Sequence, residues 1–282
     1  MPDRPIDRLD APAITRRRGA STPRPTPPTR PAASPFEQAG FKIRLEWGLA
    51  GVRLLAPVVD VVVVVDVLSF STAVSIAVEQ GARVVPYPTD GQGADGTAAA
   101  HARAIGATLA RANRGAPGPT LSPASLASLR SGDLLLLPSP NGATCAVEAQ
   151  ATGTMVVAGC LRNASAIGRL VEAHGGTAAI VLAGERWPDD SLRPCLEDLL
   201  GAGAILAGME PRALSPEARA AVGAFRSARS RLGPALSDSA SGRELLQRGY
   251  GADVVLAAQL DATDRVPVLV DGAFSGGMGW DR

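Results

Sequence analysis

Asp66 closes a run of five consecutive valines, and Ser69, Ser71 and Thr72 follow within six residues. A carboxylate at the end of a buried strand is held by rigid backbone at the floor of a cleft. Hydroxyl residues behind it open a helix, whose free N–H groups favour an anion. An acid beside an anion site is repulsive unless a cation lies between them. Oxygen ligands without histidine favour Mg²⁺, which takes carboxylates and substrate oxygens and keeps several waters. Three further stretches carry residues of matching type. "PSPNGAT" holds Ser139, Asn141, Gly142 and Thr144; "CLRNAS" holds Cys160, Arg162, Asn163 and Ser165. "GERWPDDSLRPCLED" holds Glu185, Arg186, Arg193, Cys195, Glu197 and Asp198.

Each piece also has a purely structural reading. Asp66 could cap its own helix, and Asn141-Gly142 is turn chemistry. Glu197 and Asp198 could form a solvated helix face. Cys195, beside Arg193 and near a helix start, could carry a lowered pKa. Neither His101 nor His174 falls in these stretches, which argues against a histidine base and a Ser-His-Asp triad. Haloacid dehalogenase chemistry needs a second Asp two residues after the first, and that position is Leu68.

The elements that would position these groups alternate along the chain. "FKIRLEWG" alternates apolar and polar residues as a half-buried strand does. "DVVVVVDV" is continuously apolar, as strands covered on both faces are. "SFSTAVSIAVEQGA" has helical spacing, and "RVVPYP" resembles another strand. A helix is expected around "TAAAHARAIGATLARAN", and a short one at "LSPASLASL" with Ser122 as its cap. Strand, loop and helix then recur three times up to residue 209. "SPEARAAVGAFRSA" and "SASGRELLQRG" are helices, "ADVVLAAQL" is helix or strand, and "RVPVLVDG" is a last strand. The alternation predicts an α/β fold with a mixed, largely parallel sheet and helices on both faces. Right-handed crossovers would place the strand-to-helix loops on one sheet edge, where ligands bind.

Composition narrows the function. The 282-residue chain carries a formal net charge of +1 and 4% aromatic residues, so neither a basic field nor stacking platforms suggest nucleic acid. Its apolar runs fall short of the roughly 18 residues of a membrane span. Three scattered cysteines suggest a reducing cytoplasm rather than a disulfide framework. Residues 1–36 are rich in Pro, Ser, Thr and Arg and are expected to be a disordered tail. Residues 37–282 are expected to form the α/β domain, with its cleft between two lobes.

Taken in order, several segments resemble the 2-phosphosulfolactate phosphatase family. They are "VVVDVLSFSTAVSIAVEQGA", "LSPASL", "LPSPNGAT", "GCLRNASAI", "LAGERWPDDSLRPCLEDLLGAGAI" and "SASGRELLQRGYGADVVLAAQLDATDRVPVL". The resemblance runs from about residue 41 to 271. It implies a Mg²⁺-dependent, cytoplasmic, oligomeric phosphatase, expected here as a homodimer, acting on a small phosphorylated acid such as 2-phospho-3-sulfolactate. Where the family commonly has an arginine after Asp-Val-Leu, this chain has Ser69 and then Phe70. A binding protein that keeps the anion cleft without turnover is the alternative.

Roles follow as expectations. Asp66 with Glu197 or Asp198 would hold Mg²⁺ or form its outer shell. Ser69, Ser71, Thr72, Ser139, Asn141, Gly142 and Asn163 would hold phosphate. Arg162, Arg186 or Arg193 would bind the substrate's acid group, with Glu185 beside them. The nucleophile would be a metal-activated water, then Asp66, then Cys195.

Overall fold

Every side chain of Val61–Val65 is buried, and the alternation of a strand divides them between two cores. Val61, Val63 and Val65 pack on one face, Val62 and Val64 on the other. Covered twice, such a strand is apolar without a break, and β-branched residues suit its pleat.

The computed structural model describes residues 34–89 and 96–276. The expected disordered tail lies, up to residue 33, outside the described residues. Its last part does not match the expectation: Pro35–Glu37 forms a 3-10 turn, closed by reciprocal hydrogen bonds between Ser34 and Glu37. From Ser34 onward the chain forms one compact unit.

Strand β1 (Ile43–Trp47) leads into helix α1 (Gly48–Leu55). Then come β2 (Val61–Val65), α2 (Phe70–Glu79), β3 (Arg83–Pro88), α3 (Gly96–Ala104) and β4 (Thr108–Leu109). A 3-10 turn at Pro123–Ser128 precedes β5 (Leu134–Ser139), α4 (Gly142–Gln150), β6 (Met155–Gly159), α5 (Ala164–His174) and β7 (Ala178–Leu182). A small hairpin, β8 (Glu185–Arg186) and β9 (Leu192–Arg193), interrupts the next crossover. Helices α6 (Leu196–Leu206), α7 (Pro216–Ala228), α8 (Leu232–Asp238), α9 (Ala240–Gln247) and α10 (Gly251–Ala257) follow. Strands β10 (Pro267–Val270) and β11 (Ala273–Gly276) come last.

Among the described residues nine strands form one sheet in the order β1-β7-β2-β6-β10-β11-β3-β5-β4. It is mostly parallel, with helices on both faces. One departure from the expected topology matters for the site. The β10–β11 hairpin pairs antiparallel on both sides, through Val268–Val157 and Phe274–Val84. Three antiparallel steps reverse the direction, so β3, β5 and β4 run opposite to β1, β7, β2 and β6. The loop after β5 therefore does not share an edge with the loop after β2 by strand direction alone. They meet because the sheet curls around α2 and α4, each of which packs against strands of both blocks. From Phe70 to Val78 α2 is buried on every side, as an interior helix must be.

Other differences are local. The helix expected to run past residue 110 ends at Ala104, and Gly106 takes a left-handed φ of 70° before β4. "ADVVLAAQL" is helical, and "RVPVLVDG" is followed by one more strand.

Gly203 lets α6 and α7 touch: a Cβ there would lie 2.1 Å from the Ala221 carbonyl oxygen and 2.6 Å from Phe225 Cβ. Gly203→Ala should therefore force the helices apart and lower stability by about 1–3 kcal/mol, seen as a lower urea midpoint with an unchanged slope.

Candidate active site

Asp66 leaves the end of β2 with both carboxylate oxygens engaged. Oδ1 accepts the Phe70 N–H at 3.1 Å, in the first turn of α2. Oδ2 accepts the Gly142 N–H at 2.9 Å, the first residue of α4. One carboxylate thus caps two helices that follow strands of opposite direction. Only glycine fits at 142, because a Cβ would lie 2.4 Å from the Phe70 ring and 2.6 Å from Asp66 Oδ2. The capping reading of Asp66 is correct, yet the residue also lines a cleft of about 240 Å³.

The cleft gathers three of the four expected stretches. Asp66, Leu68 and Ser69 come from the first, with Leu68–Ser69 a cis peptide. Ser139, Pro140 and Asn141 come from the second, and Glu185 from the fourth. Asn141 Nδ2 donates to Glu185 Oε2 at 2.9 Å, while its Oδ1 accepts from Arg186 Nε at 3.2 Å. Arg186 also donates to the Pro140 carbonyl and Asp190, so it braces the Asn141 turn from behind.

Burial dominates the acidity of Asp66 and Glu185. It pushes Asp66 up to about 6, against the pull of its two backbone donors and of Arg114. Burial, and then the charge of Asp66, push Glu185 up to about 7, against the pull of Arg193.

Several expected ligands turn elsewhere, each for a stated reason. The Ser71 hydroxyl donates to the Val64 carbonyl and accepts the Asp66 N–H, and the Thr72 hydroxyl donates to the Val67 carbonyl. Both satisfy backbone groups left where β2 ends, and neither faces the cleft. The third stretch stays apart altogether. Buried Arg162 pairs with Glu79 at 2.7 Å and with Gln259, and Asn163 holds the Cys160 N–H and two carbonyls. Ser165 bonds Asp261 through both its N–H and its hydroxyl.

Asp198 is a second backbone latch. Its oxygens accept the Val67 N–H at 2.8 Å and the Gly184 N–H at 2.9 Å, joining the ends of β2 and β7. Burial, and then Asp66 and Glu197, hold its acidity well above the ordinary carboxylate range. Glu197 is buried in the first turn of α6 and does not line the cleft. Among the described residues no three acidic, histidine or cysteine groups cluster as a metal site. Cys195 is buried, its thiol donates to the Arg193 carbonyl, and burial raises its pKa, the reverse of the lowered pKa expected beside Arg193.

The arginines in the cleft are ones the sequence reading passed over. Arg114, from the Gly- and Pro-rich stretch after β4, lines it and donates through Nη2 to Ser69 Oγ at 3.0 Å. Through Nη1 it pairs with Asp253, 3.0 Å away and buried. Asp253 also accepts from the Ser122 hydroxyl and the Ala124 N–H, so it caps the 3-10 turn in place of Ser122. Ser241, Glu244 and Arg248, from α9 and the residue after it, complete that wall. Arg193 reaches the same wall from behind, donating to Ser241 Oγ at 3.0 Å.

A cleft at strand ends of the α/β sheet, lined by Asp66, Glu185 and Glu244 and by Arg114 and Arg248, brings carboxylates and guanidinium groups together. The chain belongs to the 2-phosphosulpholactate phosphatase family, whose model matches residues 54–272 of its 282. That family is one of phosphatases, and its substrates are small phosphorylated compounds. No helix among the described residues is long and apolar enough to cross a membrane.

Two outcomes follow. Asp66→Asn offers one acceptor to two N–H donors and turns an NH₂ toward the other; stability should fall by about 1–3 kcal/mol, read from urea unfolding. The raised acids also set a pH dependence. As pH climbs from about 4 to 7, the unfolded chain loses these protons first, so their contribution to stability is full at the acid end and then lost. In EDTA, Glu185→Gln should therefore gain stability relative to wild type between pH 4 and pH 8, which paired urea titrations would check.

Proposed function

We propose that the protein is a Mg²⁺-dependent phosphatase of a small phosphorylated 2-hydroxy acid, with 2-phospho-3-sulfolactate as the lead substrate, working in the cytoplasm as a homodimer. The observation that carries the reading is the mixed charge of the cleft: Asp66 and Glu185 line it together with Arg114 and Arg248. Phosphate monoester hydrolysis needs both charge neutralisation and fixed donors, because the uncatalysed reaction is extremely slow.

The donor set fits Mg²⁺. Two carboxylates and the Asn141 side chain share the cleft, and Asp66 makes Glu185 harder to ionise. A divalent cation between such groups relieves that repulsion, and Mg²⁺ commonly uses one or two carboxylates plus substrate oxygens. Asp66 and Glu185 would hold it, replacing the trio expected from sequence. Held there, Mg²⁺ supplies neutralisation at the phosphoryl oxygens and a more acidic water.

The remaining work falls to the chain. Asp66 keeps the N-termini of α2 and α4 together, so that Ser69, Ser139 and Asn141 face one phosphoryl group. Asn141 orients Glu185 through its amide, and Arg186 fixes Asn141. Buried Leu68 and Leu245, which line the same cleft, limit water around the ester.

Phosphate release from 2-phospho-3-sulfolactate should appear with Mg²⁺ and vanish with EDTA. Glu185→Gln should lower kcat by about 100-fold or more while leaving the protein folded. Mg²⁺-independent release, or full activity in that variant, would overturn the assignment. Tight anion binding without turnover would instead favour the binding-protein alternative.

A further inference from the structure

Arg114 is the most constrained cation in the cleft. Of its five N–H donors, Nη1 spends two on Asp253 and the Leu121 carbonyl, and Nη2 spends one on Ser69 Oγ. One Nη2 donor and the Nε donor are left on a guanidinium that lines the cleft. Its side chain is only 11% exposed, and the buried Asp253 fixes its direction. Arg248 lies on the same wall but is held differently. Its pair with Glu244, one turn away on the helix, is exposed and weak, so its guanidinium is free to exchange partners. The ring of Tyr250 serves both: the Arg114 and Arg248 guanidinium carbons lie 5.9 and 5.7 Å from its centroid. A rigid arginine and an adjustable one therefore share one aromatic support, in the cleft that Asp66 and Glu185 also line.

We infer that Arg114, assisted by Arg248, is the specificity-determining residue, binding a second oxyanion of the substrate beside its phosphoryl group. Planar paired donors suit an oxyanion; with the phosphoryl group held at Asp66, Ser139 and Asn141 as proposed above, a simple phosphate monoester would leave the Arg114 donors without a partner, and a carboxylate or sulfonate would take them. The inference rests on the phosphatase reading for its substrate, but the acid subsite is testable without turnover. Arg114→Lys is the useful variant, because it keeps a cation against Asp253 while losing the fork; Arg248→Met is exposed enough to fold.

The first experiment is calorimetric titration in EDTA with 3-sulfolactate, and with propane-1,2-diol as its uncharged counterpart. Wild type should bind the acid and not the diol; Arg114→Lys should weaken binding about tenfold or more, and Arg248→Met less. Titration with lactate and with 2-hydroxyethanesulfonate then tells whether carboxylate or sulfonate occupies the subsite. The second experiment compares kcat/KM for 2-phospholactate and isopropyl phosphate. Arg114→Lys should lower the ratio of the two about tenfold, a change that a merely structural role would not produce. Undiminished acid binding in Arg114→Lys, no binding by wild type at about 10 mM, or an unchanged ratio would overturn the inference. Arg114-dependent acid binding without hydrolysis of either ester would keep the subsite and reject the phosphatase reading.

Discussion

The Asp66 carboxylate is the constraint on which the cleft depends. Its two oxygens hold the first N–H of α2 and the first N–H of α4. Those helices leave strands that run in opposite directions, on either side of the β10–β11 hairpin. Strand direction alone does not bring their ends together; packing of α2 and α4 against both blocks does, and a charge-assisted pair of hydrogen bonds ties the two ends. Gly142 is part of the same device, since any side chain there would displace either Phe70 or the carboxylate. Asp198 repeats the arrangement one strand over, tying the backbone after β2 to that after β7. Three strand ends are thus fixed by two buried acids, and the groups that face solvent between them inherit that rigidity.

Fixing backbone with buried acids has an electrostatic consequence. Burial, and then the charge of neighbouring acids, push Asp66, Asp198 and Glu185 toward the protonated form. The counter-charge comes from within the cleft and from behind it. Arg114 pulls on Asp66, and Arg193 pulls on Glu185. The arginines are in turn anchored by Asp253 and Ser241, at the level of α9 and α10. The C-terminal helices therefore belong to the electrostatics of the cleft as much as the strand loops do.

The strongest signals in the sequence were those with one physical cause. Five valines in a row have few explanations besides a doubly covered strand, and the acid that ends them faces a cleft. Helix and strand periodicity recovered the α/β alternation, and the ordered motifs indicated the family. What stayed hidden was the reversal of strand direction, because it turns on two single-residue pairings, Val268–Val157 and Phe274–Val84. Hidden too was the direction of individual side chains. Ser71 and Thr72 have the right types for phosphate but answer to backbone groups, and Arg162 is drawn away by Glu79 and Gln259. Arg114 sat in a stretch of glycine and proline that resembled a plain loop. The one hint was Ser69: a serine at the cleft mouth leaves room for a guanidinium from elsewhere.

The sheet order also bears on how the molecule is made. Edge strand β1 lies at residues 43–47, but its partner β7 begins only at Ala178. The closing hairpin is later still, with Phe274 reaching back to Val84. A chain emerging from the ribosome cannot complete the sheet, curl it around α2 and α4, or set Arg114 against Asp253 until nearly all of it has been synthesised. Such distant pairings make folding slow and leave apolar strands such as Val61–Val65 without cover in the interim. The protein should therefore lean on chaperones during synthesis, and loss of its last strands should harm it more than their short length suggests.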